Sequence, residues 1–155
     1  MFNLISNGSA QTKKLGEALA KEISRTQSQN QAFVLGLKGD LGGGKTTFLQ
    51  GLAKGLGIKE KITSPTFVLM KRFGLKGAYK NFYHLDFYRL SGAKEILPLG
   101  FAEIISNPEN IVGIEWIDRI KGFSFKDILM IEFEFIEKDK RKIKFYFKNE
   151  KDSSY

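Results

Sequence analysis

Two periods of hydrophobic and polar residues alternate along this chain. Residues 32–37 (Ala-Phe-Val-Leu-Gly-Leu) form a continuous apolar run of strand length. Beyond them Phe48, Leu52 and Leu56 recur every four residues, with Leu49 and Ala53 beside them. That spacing predicts an amphipathic helix, ending near Gly55 or Gly57. Upstream, residues 2–5 read as a short strand, and Ser6, Asn7 and Ser9 as helix-start residues. Leu15, Leu19 and Ile23, with Ala18 beside them, mark one face of a first helix. Residues 25–31 are polar and read as a loop. Downstream, a hydroxyl-rich turn pinned by Pro65 passes into a strand over 67–69, and Gly74 and Gly77 bracket a hairpin connection to a strand over 79–85. Short helical stretches follow at 93–97 and around 101–105. Residues 111–114 are a compact buried strand. Strands over 128–136 and 142–147, joined by a charged turn at 137–141, read as a terminal hairpin. The pattern predicts an α/β fold: a mixed sheet flanked by helices, parallel around residues 32–37, with antiparallel hairpins at 67–85 and 128–147.

Between the first apolar run and its helix lies Gly39-Asp40-Leu41-Gly42-Gly43-Gly44-Lys45-Thr46-Thr47, a complete GxxxxGK[ST] phosphate-binding loop. Strand, glycine loop and helix in that order are the context this motif requires. Glycines let the backbone wrap an anion with its N–H groups turned inward, and the helix adds the positive end of its dipole. In such a P-loop, Lys45 reaches the β- and γ-phosphates and the Thr46 hydroxyl ligates Mg²⁺. The expected ligand is a nucleoside triphosphate, and the fold class becomes P-loop NTPase-like.

Composition narrows the class further. A chain of 155 residues is one domain by length, and 14 Phe with 42% apolar residues argue for a packed core. There is no cysteine, hence no disulfide framework or thiolate metal site. No run reaches the ~18 apolar residues of a membrane span and the start lacks a signal-peptide core, so a cytoplasmic protein with no membrane partner is expected. The net charge of +8 is uneven: residues 51–80 carry seven basic and one acidic side chain, whereas residues 81–155 sum to −1. A basic segment there attracts nucleic acid or an acidic protein surface, or is simply a solvated lysine-rich face.

A P-loop enzyme also needs an acidic group at a second strand end to hold Mg²⁺, and a group that orients the nucleophile. Glu115 ends the 111–114 strand and Asp86 ends the 79–85 strand; the sequence leaves open which takes which role. Ser64 and Thr66 flank Pro65 on a turn that either senses the γ-phosphate or serves backbone geometry alone. His84, the single histidine, reads as a structural residue of an apolar strand, and Trp116 as packing in or near the site.

Four blocks in this order and spacing resemble the TsaE (YjeE) family. They are the phosphate loop with Phe48, Ser64-Pro65-Thr66-Phe67, His84-Leu85-Asp86-Phe87-Tyr88-Arg89-Leu90, and Glu115-Trp116. The resemblance spans about residues 4–147. It implies a small ATPase of the pathway that makes threonylcarbamoyladenosine in tRNA, weak alone and acting with the TsaB and TsaD proteins, with tRNA itself a further partner through or beside them. By motif match it implies that Asp40, Leu41, Gly42, Gly43, Gly44, Lys45, Thr46 and Thr47 bind ATP or ADP. Thr46 and Glu115 would hold Mg²⁺, and Asp86 would lie by the γ-phosphate or attacking water, with Lys45, Asp86 and Glu115 as the catalytic set. Thr66 would sit at the phosphates and Trp116 beside the nucleotide, while Thr12 and Arg141 would flank the adenine. The chain departs from the family at Gly42-Gly43-Gly44, where Gly-Ala-Gly is commoner, and at Ser91-Gly92-Ala93, where an Asp-Pro turn is frequent.

Three rivals fit less well. A small-molecule kinase usually carries an arginine-rich lid, and the five arginines here are scattered. A GTP switch would carry Asn-Lys-x-Asp, which does not occur. A nucleic-acid module built on residues 51–80 would leave the phosphate loop without a purpose.

Overall fold

A computed structural model describes residues 1–27, 30–64 and 68–149. Seven strands make one sheet: β1 (Phe2–Ser6), β2 (Phe33–Gly39), β3 (Met70–Gly74), β4 (Asn81–Asp86), β5 (Asn110–Glu115), β6 (Asp127–Glu137) and β7 (Lys140–Asn149). Their spatial order is β1-β7-β6-β2-β5-β4-β3. The four central strands β6, β2, β5 and β4 run parallel, while β3, β7 and β1 pair antiparallel at the flanks. The expected mixed α/β sheet is therefore observed. Every residue of β5 is buried, as a strand covered on both faces requires.

One face is packed by α1 (Ser9–Arg25) and α2 (Lys45–Gly55). The periodicity marks both helices, but α1 is turned relative to the expectation. Its buried residues are Thr12, Gly16, Ala20 and Ile23; Leu15 and Leu19 are only half-buried and Ala18 is exposed. The cause is how close α2 comes. A Cβ on Gly16 would stand 2.2 Å from the Phe48 carbonyl oxygen, and one on Gly51 would stand 2.0 Å from that of Lys13. Backbones this near exclude a leucine from the contact and push Leu15 and Leu19 to its side.

The opposite face is covered by 3₁₀ turns at Ala93–Glu95, Leu97–Leu99 and Ile117–Arg119 and by α3 (Phe101–Ser106). Phe101 anchors it, with ring centroids of Phe87, Phe123 and Phe125 at 5.9, 5.1 and 6.0 Å. Such edge-on aromatic contacts add to the area they bury.

Two expectations need correction. The strand expected over 67–69 is found at Met70–Gly74, with Val68 and Leu69 in a bend; Pro65, Thr66 and Phe67 lie outside the described residues. As an edge strand, β3 exposes Lys71 and Arg72, and such charges protect an edge while masking the apolar pattern of a strand. The turn between β6 and β7 narrows to residues 138–139, because β6 and β7 extend to Glu137 and from Lys140. No helix among the described residues is long and apolar enough to cross a membrane.

Candidate active site

The site forms at the carboxyl ends of β2, β4 and β5, where parallel α/β sheets commonly place ligands. β2 ends at Gly39, whose φ of 147° puts it in a backbone region open mainly to glycine. A Cβ there would also stand 2.6 Å from the Phe133 carbonyl oxygen, so β6 presses directly on the start of the loop. Gly44 closes the loop in a left-handed conformation, φ 105°, and serves as the N-terminal cap of α2. The free N–H groups and the positive dipole end of α2 thus face a cleft of about 220 Å³. Residues 41–47, Ser64, Asp86, Tyr88, Glu115 and Trp116 line it.

Lys45 is buried at 4% exposure, and its Nζ donates to the carbonyl oxygens of Gly39 (2.6 Å) and Asp40 (2.8 Å). The same ammonium lies 3.9 Å from the centre of the Trp116 ring, a cation–π contact. Burial lowers its pKa from the ordinary lysine value; Glu115, Asp118, Asp40 and Asp86 pull the other way without cancelling that cost.

Thr46 opens α2, and its hydroxyl donates to the carboxylate of Glu115, 2.9 Å from Oε1 and 2.8 Å from Oε2. Asp86 and Glu115 are direct register partners across β4 and β5, so the two carboxylates stand side by side. Their surroundings differ. Asp86 Oδ1 accepts the Tyr88 N–H at 2.9 Å, and Oδ2 accepts the Ser64 hydroxyl at 2.6 Å. Glu115 Oε1 instead meets Nε2 of His84 at 2.8 Å, a buried contact that the sequence reading did not expect. The signal was the alternation of β4: His84 and Asp86, two residues apart, face the same side.

Trp116 follows Glu115 with φ 58° and ψ 43°, the one non-glycine residue at positive φ among the described residues. Non-glycine residues in this region are uncommon and gather at functional sites. Tyr88 packs on its ring at 4.9 Å, and the Arg119 guanidinium lies 5.3 Å from Tyr88 and 5.4 Å from Trp116.

The remaining expected residues divide into three groups. Leu41 is 79% exposed on the cleft rim, and Thr47 lines the cleft beside Thr46. Thr12 borders Gly44 through its methyl group, while its hydroxyl is 2.7 Å from that of Ser6. Arg141, on the terminal hairpin, reaches the loop with one nitrogen 3.5 Å from the Gly42 carbonyl oxygen and stacks at 4.7 Å on Phe135. Thr66 lies outside the described residues. Of the basic segment, Lys59, Lys61 and Lys71 are exposed, the first two on the stretch that joins α2 to Ser64.

The family model "Threonylcarbamoyl adenosine biosynthesis protein TsaE" matches residues 6–143. The chain belongs to the TsaE family. A Rickettsia felis protein named tRNA threonylcarbamoyladenosine biosynthesis protein TsaE is 34% identical over 139 residues, 89% of this chain and 75% of that one. The Haemophilus influenzae protein of the same name is 29% identical over 124 residues, 80% of this chain and 76% of that one. A Nostoc TsaE reaches 48% identity over a shorter stretch of 90 residues, 56% of this chain and 54% of that one. Among solved structures, YdiB from Bacillus superimposes with a TM-score of 0.69 at 26% identity, covering 93% of this chain and 83% of that one. The matched TsaE region takes in the loop, both strand-end carboxylates and Trp116.

Proposed function

We propose that the protein binds ATP with Mg²⁺ in this cleft, hydrolyses it slowly when alone, and serves tRNA threonylcarbamoyladenosine formation in the cytoplasm together with TsaB and TsaD. The observation that carries the reading is the Thr46–Glu115 contact at 2.8 Å, which joins the first residues of the phosphate-loop helix to a strand-end carboxylate. A hydroxyl and a carboxylate are hard oxygen donors, the kind Mg²⁺ takes. Among the described residues no group of three or more acidic or histidine side chains could cage an ion. Mg²⁺ does not need such a cage, because it is usually held by one or two protein oxygens, substrate phosphates and water.

Bound there, Mg²⁺ would neutralise charge on the β- and γ-phosphates. The chain's own residues do the rest. The loop N–H groups and the α2 dipole bind phosphate oxygens, and Lys45 exchanges the Gly39 and Asp40 carbonyls for them. Thr46 and Glu115 hold the metal. Asp86, kept in place by Ser64 and the Tyr88 N–H, orients the attacking water and accepts its proton. Trp116 and Tyr88 form the apolar wall that limits water around the phosphates. Arg141 flanks the base at the outer end of the loop, while Thr12, buried, supports Gly44 from beneath. The exposed lysines 59, 61 and 71 contact an acidic partner surface or tRNA.

The test is ATP turnover measured with and without TsaB and TsaD, for the wild type and for Lys45→Ala. Slow hydrolysis that the partners stimulate, abolished along with nucleotide binding in the variant, is expected. Tight ATP binding by Lys45→Ala would sink the loop assignment. Phosphoryl transfer to a small metabolite without stimulation would make the protein a kinase.

A further inference from the structure

We propose that His84 is a positioning residue for Glu115, fixing the carboxylate at the end of β5 in the orientation that serves the metal. The inference rests on the reading of Glu115 as a metal-holding group. His84 stands on β4 directly across from Gly113 of β5, and Glu115 is the next same-face residue along that strand. Gly113 puts no side chain between the imidazole and the carboxylate. Both side chains are buried, His84 at 0% and Glu115 at 2% exposure, and the Nε2–Oε1 distance is 2.8 Å. A carboxylate only accepts, so Nε2 carries the proton.

The other nitrogen argues against a purely structural histidine. Nδ1 is buried with no hydrogen-bond partner among the described residues. An unpaired polar atom in the interior is a cost that an apolar side chain would not carry. Phe82 and Leu85, on the same strand, are the kind of residue the position otherwise favours. What the imidazole gains against that cost is its bond to Glu115, the one it makes among the described residues. Thr46 alone would leave the carboxylate tied only to a hydroxyl that must turn toward the metal. His84 holds it from the protein side, as outer groups hold metal ligands elsewhere; their loss typically costs ten- to hundred-fold in metal affinity.

The experiment measures the Mg²⁺ concentration that half-saturates the complex of the full chain with ADP, by calorimetry, beside ADP binding in EDTA. His84→Met should raise that concentration about ten- to hundred-fold and leave EDTA binding unchanged. His84→Gln, similar in size but with an amide N–H, should recover most of the difference. Wild-type Mg²⁺ binding by His84→Met overturns the proposal provided Glu115→Gln has lost it. If Glu115→Gln also binds Mg²⁺ normally, the metal reading of Glu115 fails and the positioning role falls with it. Should His84→Met not fold, the wild type decides, since its single histidine yields one imidazole ¹⁵N pattern. The Nε2–H tautomer supports the proposal and the Nδ1–H tautomer overturns it.

Discussion

On the face of the sheet that carries the glycine loop, α1 and α2 meet through Gly16 and Gly51, with Ala20 against Gly55 one turn farther on. On the opposite face, Phe87, Phe101, Phe123 and Phe125 fill the space beneath 3₁₀ turns and a six-residue helix. One face is shaped by how near two backbones come, the other by how much volume side chains supply. The difference matters because α2 is both a packing element and the helix whose first residues line the cleft. A shift of α2 away from α1 moves the site. A void among the phenylalanines lowers stability and leaves Gly44, Thr46 and Glu115 where they are.

The comparison breaks most severely at Gly51. Its added Cβ would meet the Lys13 carbonyl oxygen at 2.0 Å and two further Lys13 backbone atoms at 2.7 Å, none of which can swing aside. Gly51→Leu should yield no cooperatively folded protein by circular dichroism and urea titration. A folded variant with wild-type nucleotide affinity would show that the helix approach does not set the site. Phe101→Ala comes next. Removing a buried phenylalanine costs about 3–5 kcal/mol, so the urea midpoint should fall sharply while ADP affinity, measured where the variant is folded, stays unchanged. A weakened affinity would mean that the two faces are coupled. The smallest effect is expected at Lys54, whose Nζ lies 3.0 Å from Glu17 across the same pair of helices. The lysine is 74% exposed, and exposed pairs contribute about 0.2–1 kcal/mol. Lys54→Ala should therefore move the midpoint little; a loss on the scale of Phe101→Ala would transfer credit for the helix contact from the glycines to the ion pair.

Much of the site was legible because its parts are local. The glycine loop, the strand before it and the helix after it are contiguous, and residues 111–115 announce a buried strand with a carboxylate at its end. The edge strand was harder. Lys71 and Arg72 obscure β3, and their exposure is what an edge demands. α1 was predicted as a helix but on a different face, because apolar periodicity points to leucines and cannot show that a glycine contact takes the buried position. His84 reads as structural from the sequence, because a single residue type in an apolar strand says nothing about what lies on the neighbouring strand.

The sequence alone determined most element types, the glycine loop between β2 and α2 with Lys45 and Thr46 at the helix start, and the two strand-end carboxylates, since backbone preference and periodicity act over a few residues. Tertiary structure alone decided that β6 lies beside β2 and braces Gly39, that Arg141 comes within reach of Gly42, and that His84 meets Glu115. Those contacts depend on strand order and register between segments 31 to 99 residues apart, which no local pattern specifies.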